Sequence, residues 1–136
     1  MRDTYHNLKF VPAIAPVTAT DNTPIVGAIV SHAGFESLTY AIQTGNLASA
    51  NATFAVLLEE SDAADLSGSN PVAAGDMLGT EALAGFTFAD HAVTRKLGYV
   101  GGKLYTRLTI TPAGTPGSAP VSAMAVLGHA DVRPVV

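Results

Sequence analysis

The chain has 136 residues, seven Lys and Arg against eleven Asp and Glu for a net charge of −4, and no cysteine. That length holds one apolar core without metal or disulfide support, and the missing cysteine excludes disulfides, thiolate metal sites and a cysteine nucleophile. Charged residues make up 13 % of the chain, against about a quarter in ordinary soluble domains, and the few cations form no basic stripe of the kind that displaces counterions from a nucleic-acid backbone.

Residues 1–20 contain "NLKFVPAIAPVTAT", in which Pro12 and Pro16 interrupt Leu8, Phe10, Val11 and Ile14. This reads as an extended N-terminal arm that does not join a central ladder easily, packing on its own domain or on a neighbour. The opening "MRDTYHNLKF" is polar and acidic where an export signal carries an apolar run, so none is expected. "PIVGAIVSH", Pro24 to His32, predicts a short strand in which Gly27 marks a bulge or a close backbone approach.

Period-two alternation follows, the pattern of a strand with one covered face. Leu38, Tyr40 and Ile42 share a face in "ESLTYAIQT", and Phe54, Val56 and Leu58 do so in "ATFAVLLEE". The intervening "GNLASAN" suits a turn, so a hairpin is expected. Residues 61–84 lose the alternation and gather Asp, Ser, Gly, Asn and Pro; a loop of this length usually has a job of its own, here contact with a neighbour. Strand character returns in "GFTFADHAV" and runs through "TRKLGYV".

"KLGYVGGKLYT" raises the question of a phosphate-binding loop. The Walker pattern needs four residues between its first glycine and Gly-Lys, then Ser or Thr; Gly98 and Gly102 enclose three, and Leu104 follows Lys103. The next residues alternate as a strand, with Leu104, Thr106, Leu108 and Ile110 on one face and Lys103, Tyr105, Arg107 and Thr109 on the other. Gly101 and Gly102 are therefore expected to make a tight hairpin turn. After "PAGTPGSAP" the last strand, "VSAMAVLGHA", is apolar on both faces, as suits a central strand or an edge beside a partner; an apolar tail, 129–136, ends the chain.

About eight strands with this spacing predict an all-β, single-domain antiparallel sandwich, jelly-roll-like or a small barrel, over residues 1–136 with extended N- and C-terminal arms. No continuous apolar run reaches the length of a membrane helix, and no membrane role is expected. His6, His32, His91 and His129 lack metal-ligand spacing. The acidic group Glu59, Glu60, Asp62 and Asp65 lacks a calcium-loop pattern. His129 and Asp131 would share a strand face, but no nucleophile elbow accompanies them. Neither an enzyme nor a cofactor nor a metal is expected.

The string "MLGTEALAGFTFADHAVTRKLGYVGGKLYTRLTITPAG…SAMAVLGHADVRP", together with "DNT" and "TGNLASANATFAVLLEESDAADLS", resembles small proteins encoded in the head-morphogenesis clusters of tailed phages and prophages beside the major capsid protein. The likeness covers nearly the whole chain and lies in overall texture. It implies a capsid decoration or cement protein, made in the bacterial host cytoplasm and seated on the outer surface of the capsid in the virion. Its implied partners are the major capsid protein and copies of itself, by analogy as a homotrimer. Alternatives are a head-to-tail connector and a virion-surface carbohydrate-binding module. The residues expected at the interface are Leu8, Phe10, Val11, Ile14, Tyr105, Arg107, Val135 and Val136.

Overall fold

The computed structural model describes residues 1–136, and almost all of its regular structure is strand. In chain order these are β1 (Lys9–Ala19), β2 (Ile25–Ser31), β3 (Phe35–Thr44), β4 (Thr53–Ser61), β5 (Asn70–Pro71), β6 (Met77–Leu78), one helical turn α1 (Glu81–Ala84), β7 (Phe86–Thr87), β8 (Thr94–Tyr99), β9 (Tyr105–Ala113) and β10 (Ala119–Ala130). A front sheet runs β1-β10-β3-β8-β6 and a back sheet β2-β9-β4-β5, with β7 also paired to β4. Every pairing is antiparallel.

Lys9 pairs with Leu127, Ile25 with Ile110, Leu38 with Tyr99 and Glu59 with Pro71, so partners nest like brackets around the middle of the chain. Successive bracket pairs fall in the front, back, front and back sheets. A ribbon folded near its midpoint and wound between two sheets in this way is a jelly roll. The sheets stay separate, so the small-barrel alternative is excluded.

Alternation explains the core. Leu38, Tyr40 and Ile42 of β3 and Leu127, Ala125 and Ala123 of β10 face Leu58 and Val56 of β4 and Leu108 and Ile110 of β9, all buried between the sheets. Burying one large aliphatic side chain there stabilises the fold by about 1.5–3 kcal/mol before entropy is counted. Phe54 and Phe86 stack with ring centroids 4.5 Å apart and close one end.

Both expected hairpins are corrected. β3 and β4 lie in different sheets, and so do β8 and β9, so residues 45–52 and 100–104 carry the chain across the sandwich. Gly101 serves a different purpose from a primed turn: a Cβ there would lie 2.5 Å from the Tyr99 hydroxyl, and neither Gly101 nor Gly102 has positive φ. Gly27 is required by contact too. A Cβ on it would meet the Leu108 carbonyl oxygen at 2.5 Å and that of Ala13 at 2.8 Å, where β1 and β2 turn the corner between sheets, and the β2–β9 register slips between Val26 and Ile29.

Residues 9–19 of the predicted arm form the edge strand β1, with register shifts on either side of Ile14. Edge placement fits Pro12 and Pro16, which lack an amide hydrogen for a central ladder. The segment 61–84 is tied down: Ser61 Oγ accepts from Ala63 N and donates to the Ser67 carbonyl, Thr80 caps α1, and Glu81 Oε1 accepts the Leu58 amide at 2.8 Å. The strand expected to run on from Phe86 breaks at a turn in which Asp90 Oδ2 accepts the Thr87 amide. At the other end the Val135 amide donates to the His6 carbonyl, joining the two terminal segments.

Candidate interaction face

Strand parity and register lay out the front sheet's outer surface in rows. One row runs Phe10, Val126, Thr39, Gly98 and Leu78 across all five strands. The next runs Pro12, Met124, Ala41 and Lys96, and a third holds Ser122, Gln43 and Thr94. At strand spacings near 4.8 Å and about 6.8 Å between same-face residues, this face measures roughly 20 Å each way.

Its centre is low and its rims are high. Ala41, Thr39 and Gly98 are small, whereas Phe10 (57 % exposed) and Met124 (45 %) stand along one side and Leu78 (61 %) and Leu83 of α1 (68 %) along the other. Leu78, Gly79 and Leu83 wall a groove of about 550 Å³ over Thr39, Thr94, Arg95, Lys96 and Gly98. Lone exposed apolar residues are ordinary, but two pairs facing one another across one sheet make this the candidate interaction surface. No row of this face contains a carboxylate, and Lys96 is its one charged side chain, since Arg95 turns its Nη2 to Asp90 Oδ1 at 2.5 Å.

The back sheet's outer surface differs. Ile29, Arg107, Glu59 and Pro71 form one row, and Arg107 Nη2 meets Glu59 Oε2 at 2.8 Å across the strands. Tyr105 lies half-buried between Ser31 and Ser61.

The expected interface residues therefore divide. Phe10 is on the front face, with Leu8 half-buried just before it. Ile14 is buried in the core and the half-buried Val11 packs against it, so both contribute to the domain's own interior. Tyr105 and Arg107 belong to the opposite face. Val135 and Val136 lie at a third place, a hollow lined also by Lys9, Gly34 and Phe35. Met124, Val126, Leu78, Leu83 and Lys96 were absent from the expected set. Two-sided apolarity in β10 announced the first two, but nothing in the irregular 61–84 segment fixes which way Leu78 and Leu83 point.

The polar side chains at the centre of the interior hydrogen-bond one another, whereas the buried Nε atoms of Arg95 and Arg107 have no partner. Tyr40 OH and His32 Nε2 both hydrogen-bond Thr106 Oγ1, at 2.5 and 2.8 Å. Burial pushes the Tyr40 phenol up to about 12 and holds the His32 imidazole below its ordinary value. Tyr99 OH donates to Glu60 Oε2 at 2.6 Å and accepts the Lys103 amide, and burial together with that carboxylate raises its pKa. His32 and Tyr99 border an open hollow of about 270 Å³ with Glu36, Ser37 and Lys103. His129 Nδ1 bonds Ser37 Oγ at 3.0 Å and its backbone has φ of 52°; β10 ends at Ala130, so Asp131 lies outside the strand and regular alternation does not put the two on one face. Ser122, seven residues back along β10, is about 23 Å away at strand rise, too far to make a catalytic set. No three His, Asp or Glu side chains converge as metal ligands.

No family model matches the chain, and no curated protein matches it significantly. Among solved structures, a chain in the structure of infectious bursal disease virus, Gx strain, is similar at 12 % identity and a TM-score of 0.54, over 93 % of this chain and 33 % of that one. The present chain thus spans about a third of that polypeptide, and the likeness is one of fold. The SPBc2 prophage-derived protein YomS aligns at 14 % identity and a TM-score of 0.42, over 88 % of this chain and 93 % of that one. The CBM22-1 and GH10 modules of a Clostridium thermocellum endo-1,4-β-D-xylanase complexed with xylohexaose align at 8 % identity and a TM-score of 0.41, over 97 % and 28 %.

Proposed function

We propose that the protein is a phage capsid decoration, or cement, protein that seats the outer face of its front sheet on the exterior of the assembled head, against the major capsid protein. The observation that carries this reading is that face itself: apolar rims of Phe10, Met124, Leu78 and Leu83 around a floor of small residues, without a carboxylate. The sequence resemblance to head-cluster proteins supports the same partner. The fold shared with a chain of a virus structure accords with a virion role, though it does not carry the argument.

Size argues for repetition. A face roughly 20 Å on a side covers on the order of 400 Å², about half of what each partner contributes to a standard stable interface. One copy alone would hold weakly, whereas three joined copies engage several capsomers at once and gain by avidity. Binding only the assembled shell stabilises it by mass action, because the interface must be lost before capsomers part. Trimers over threefold or pseudo-threefold positions answer that need.

The test is to mix the purified protein with shells that lack it. Saturable binding at fixed stoichiometry, in hundreds of copies per particle, is the expected result. A dozen copies or fewer at a single vertex would instead indicate a head-to-tail connector, and absence of binding would overturn the proposal. A glycan role is less well supported, because the middle rows of the front face hold Val126, Thr39, Ala41 and Met124 where sugar-stacking rings would be needed.

A further inference from the structure

Four cations lie on β8, on β9 and in the 100–104 crossing between them, and they are not treated alike; Lys9 of β1, also without an ion pair, lies apart beside Val135 and Val136. Arg95, Lys103 and Arg107 each meet a carboxylate of the same chain, Asp90, Asp62 and Glu59, at 2.5, 2.7 and 2.8 Å. Lys96 lies between Arg95 and the β8 core residue Leu97, points from the opposite face, and makes no ion pair. It stands in the groove below Leu78 and Leu83, with the Thr39 and Thr94 side chains beside it. In a chain of net charge −4, this patch is cationic and has no internal counterion.

Resting on the reading that this face docks on the shell, we infer that Lys96 is the electrostatic anchor of the contact and that it takes a carboxylate from the major capsid protein, an Asp or Glu flanked by apolar side chains that fill the space against Leu78 and Leu83. Covering an ammonium with a purely apolar surface removes its water without replacement, which is among the costliest changes an interface can impose. A carboxylate in the groove replaces that water with a charge-assisted hydrogen bond. Thr39 and Thr94 flank Lys96 along the face on either side, so one or the other hydroxyl, not both, can donate to the carboxylate's second oxygen. The opposite-charge requirement also tells the correct docking site from a neutral one, since like charges placed together are strongly unfavourable. A second copy of this chain as the occupant is the competing possibility.

The experiment compares wild type with Lys96→Arg, Lys96→Gln and Lys96→Glu by co-sedimentation with purified shells that lack the protein, from about 0.05 to 0.5 M NaCl. Because Lys96 is exposed and off the core, thermal unfolding should be unchanged in all four and serves as the folding control. The expected order is wild-type-like binding by Lys96→Arg, on the order of tenfold weaker binding with a flattened salt dependence for Lys96→Gln, and on the order of a hundredfold weaker binding for Lys96→Glu. Reversing the matching shell carboxylate to Lys should restore binding of Lys96→Glu. If wild type binds and the Gln and Glu variants bind equally well with the same salt dependence, the anchor is wrong while the shell reading stands. If wild type does not bind, both fall. Loss of self-association, without loss of shell binding, in Lys96→Glu would assign the groove to a second copy and overturn the inference.

Discussion

The outer faces of the two sheets are built from the same alternating strands yet are finished differently. On the back sheet Arg107 and Glu59 sit opposite one another and neutralise each other, beside the exposed Val26 and Ile29. In the outer rows of the front sheet the apolar side chains are gathered at the rims, and the one charge there, Lys96, has no partner. Charge on one face is answered within the chain, and on the other it has no counterpart there. Low charge content by itself does not single out a face; the distribution of charge between the faces does.

The sharpest way to break the comparison is to confuse inside with outside on a single strand. Leu127 and Met124 both belong to β10, the first fully buried and the second half-exposed. Leu127→Ala should lower unfolding free energy by about 2–5 kcal/mol, read from urea denaturation. Met124→Ser should change it by no more than about 0.5 kcal/mol while weakening shell binding. A large stability loss in Met124→Ser would show that the outer face is part of the core and not a docking surface.

A second prediction probes the corner that sets the two sheets apart. Gly27→Val places side-chain atoms against the Leu108 and Ala13 carbonyls, which already stand within 3 Å of a Cβ position. Overpacking of this kind costs about 1–3 kcal/mol or more, and near-ultraviolet circular dichroism should register the disturbed packing. Wild-type stability in that variant would contradict the tight β1–β2 corner.

Acid should act on the interior and not on either face. His32 is held below its ordinary pKa by burial, so below pH 6.5 the unfolded chain takes up a proton there before the folded chain does. Stability is therefore full above the unfolded value and declines as pH falls below it toward the lowered folded value. Urea midpoints measured from pH 8 to 5, a window spanning the ordinary titration of histidine, should fall, and the His32→Gln variant should lose that part of the slope. An unchanged slope would mean that the imidazole titrates alike in the folded and unfolded chains.

The smallest effect is expected on the back face. Arg107→Gln removes a partly exposed ion pair and should cost about 1 kcal/mol or less, with shell affinity unaffected. Weaker shell binding in this variant would place the contact on the wrong sheet.

Much of this architecture was legible in the chain. The alternation around Leu38, Phe54 and Leu108 identified β3, β4 and β9 and the faces they bury, because a two-residue period survives whatever the strands pair with. The destinations of the strands were not legible. "GNLASAN" and "YVGGK" have the composition of hairpin turns, but a turn-like segment also serves to cross between sheets, and the choice is made by distant pairings such as Leu38 with Tyr99. Gly101 was misread for a related reason: its need for hydrogen in place of a side chain comes from the Tyr99 ring folding over it, a contact without a local signature. At the candidate face, Phe10 could be named from an apolar, Pro-rich segment, whereas Lys96 gains meaning only when β10, β3 and β8 lie side by side. Tyr105 and Arg107 were correctly grouped on one face by parity, but parity does not reveal that Glu59 occupies the facing position.

Methionine oxidation offers the most direct test that the front face is the surface covered on the shell. Met124 stands half-exposed in the middle row of that face, on its raised side, and peroxide converts an accessible thioether to the sulfoxide. Mass spectrometry of free and shell-bound protein after the same brief peroxide treatment should show Met124 oxidised readily in the first and protected on the order of tenfold in the second, as expected for a side chain sealed from solvent at an interface core. Equal oxidation of Met124 in stoichiometrically bound protein would contradict the account.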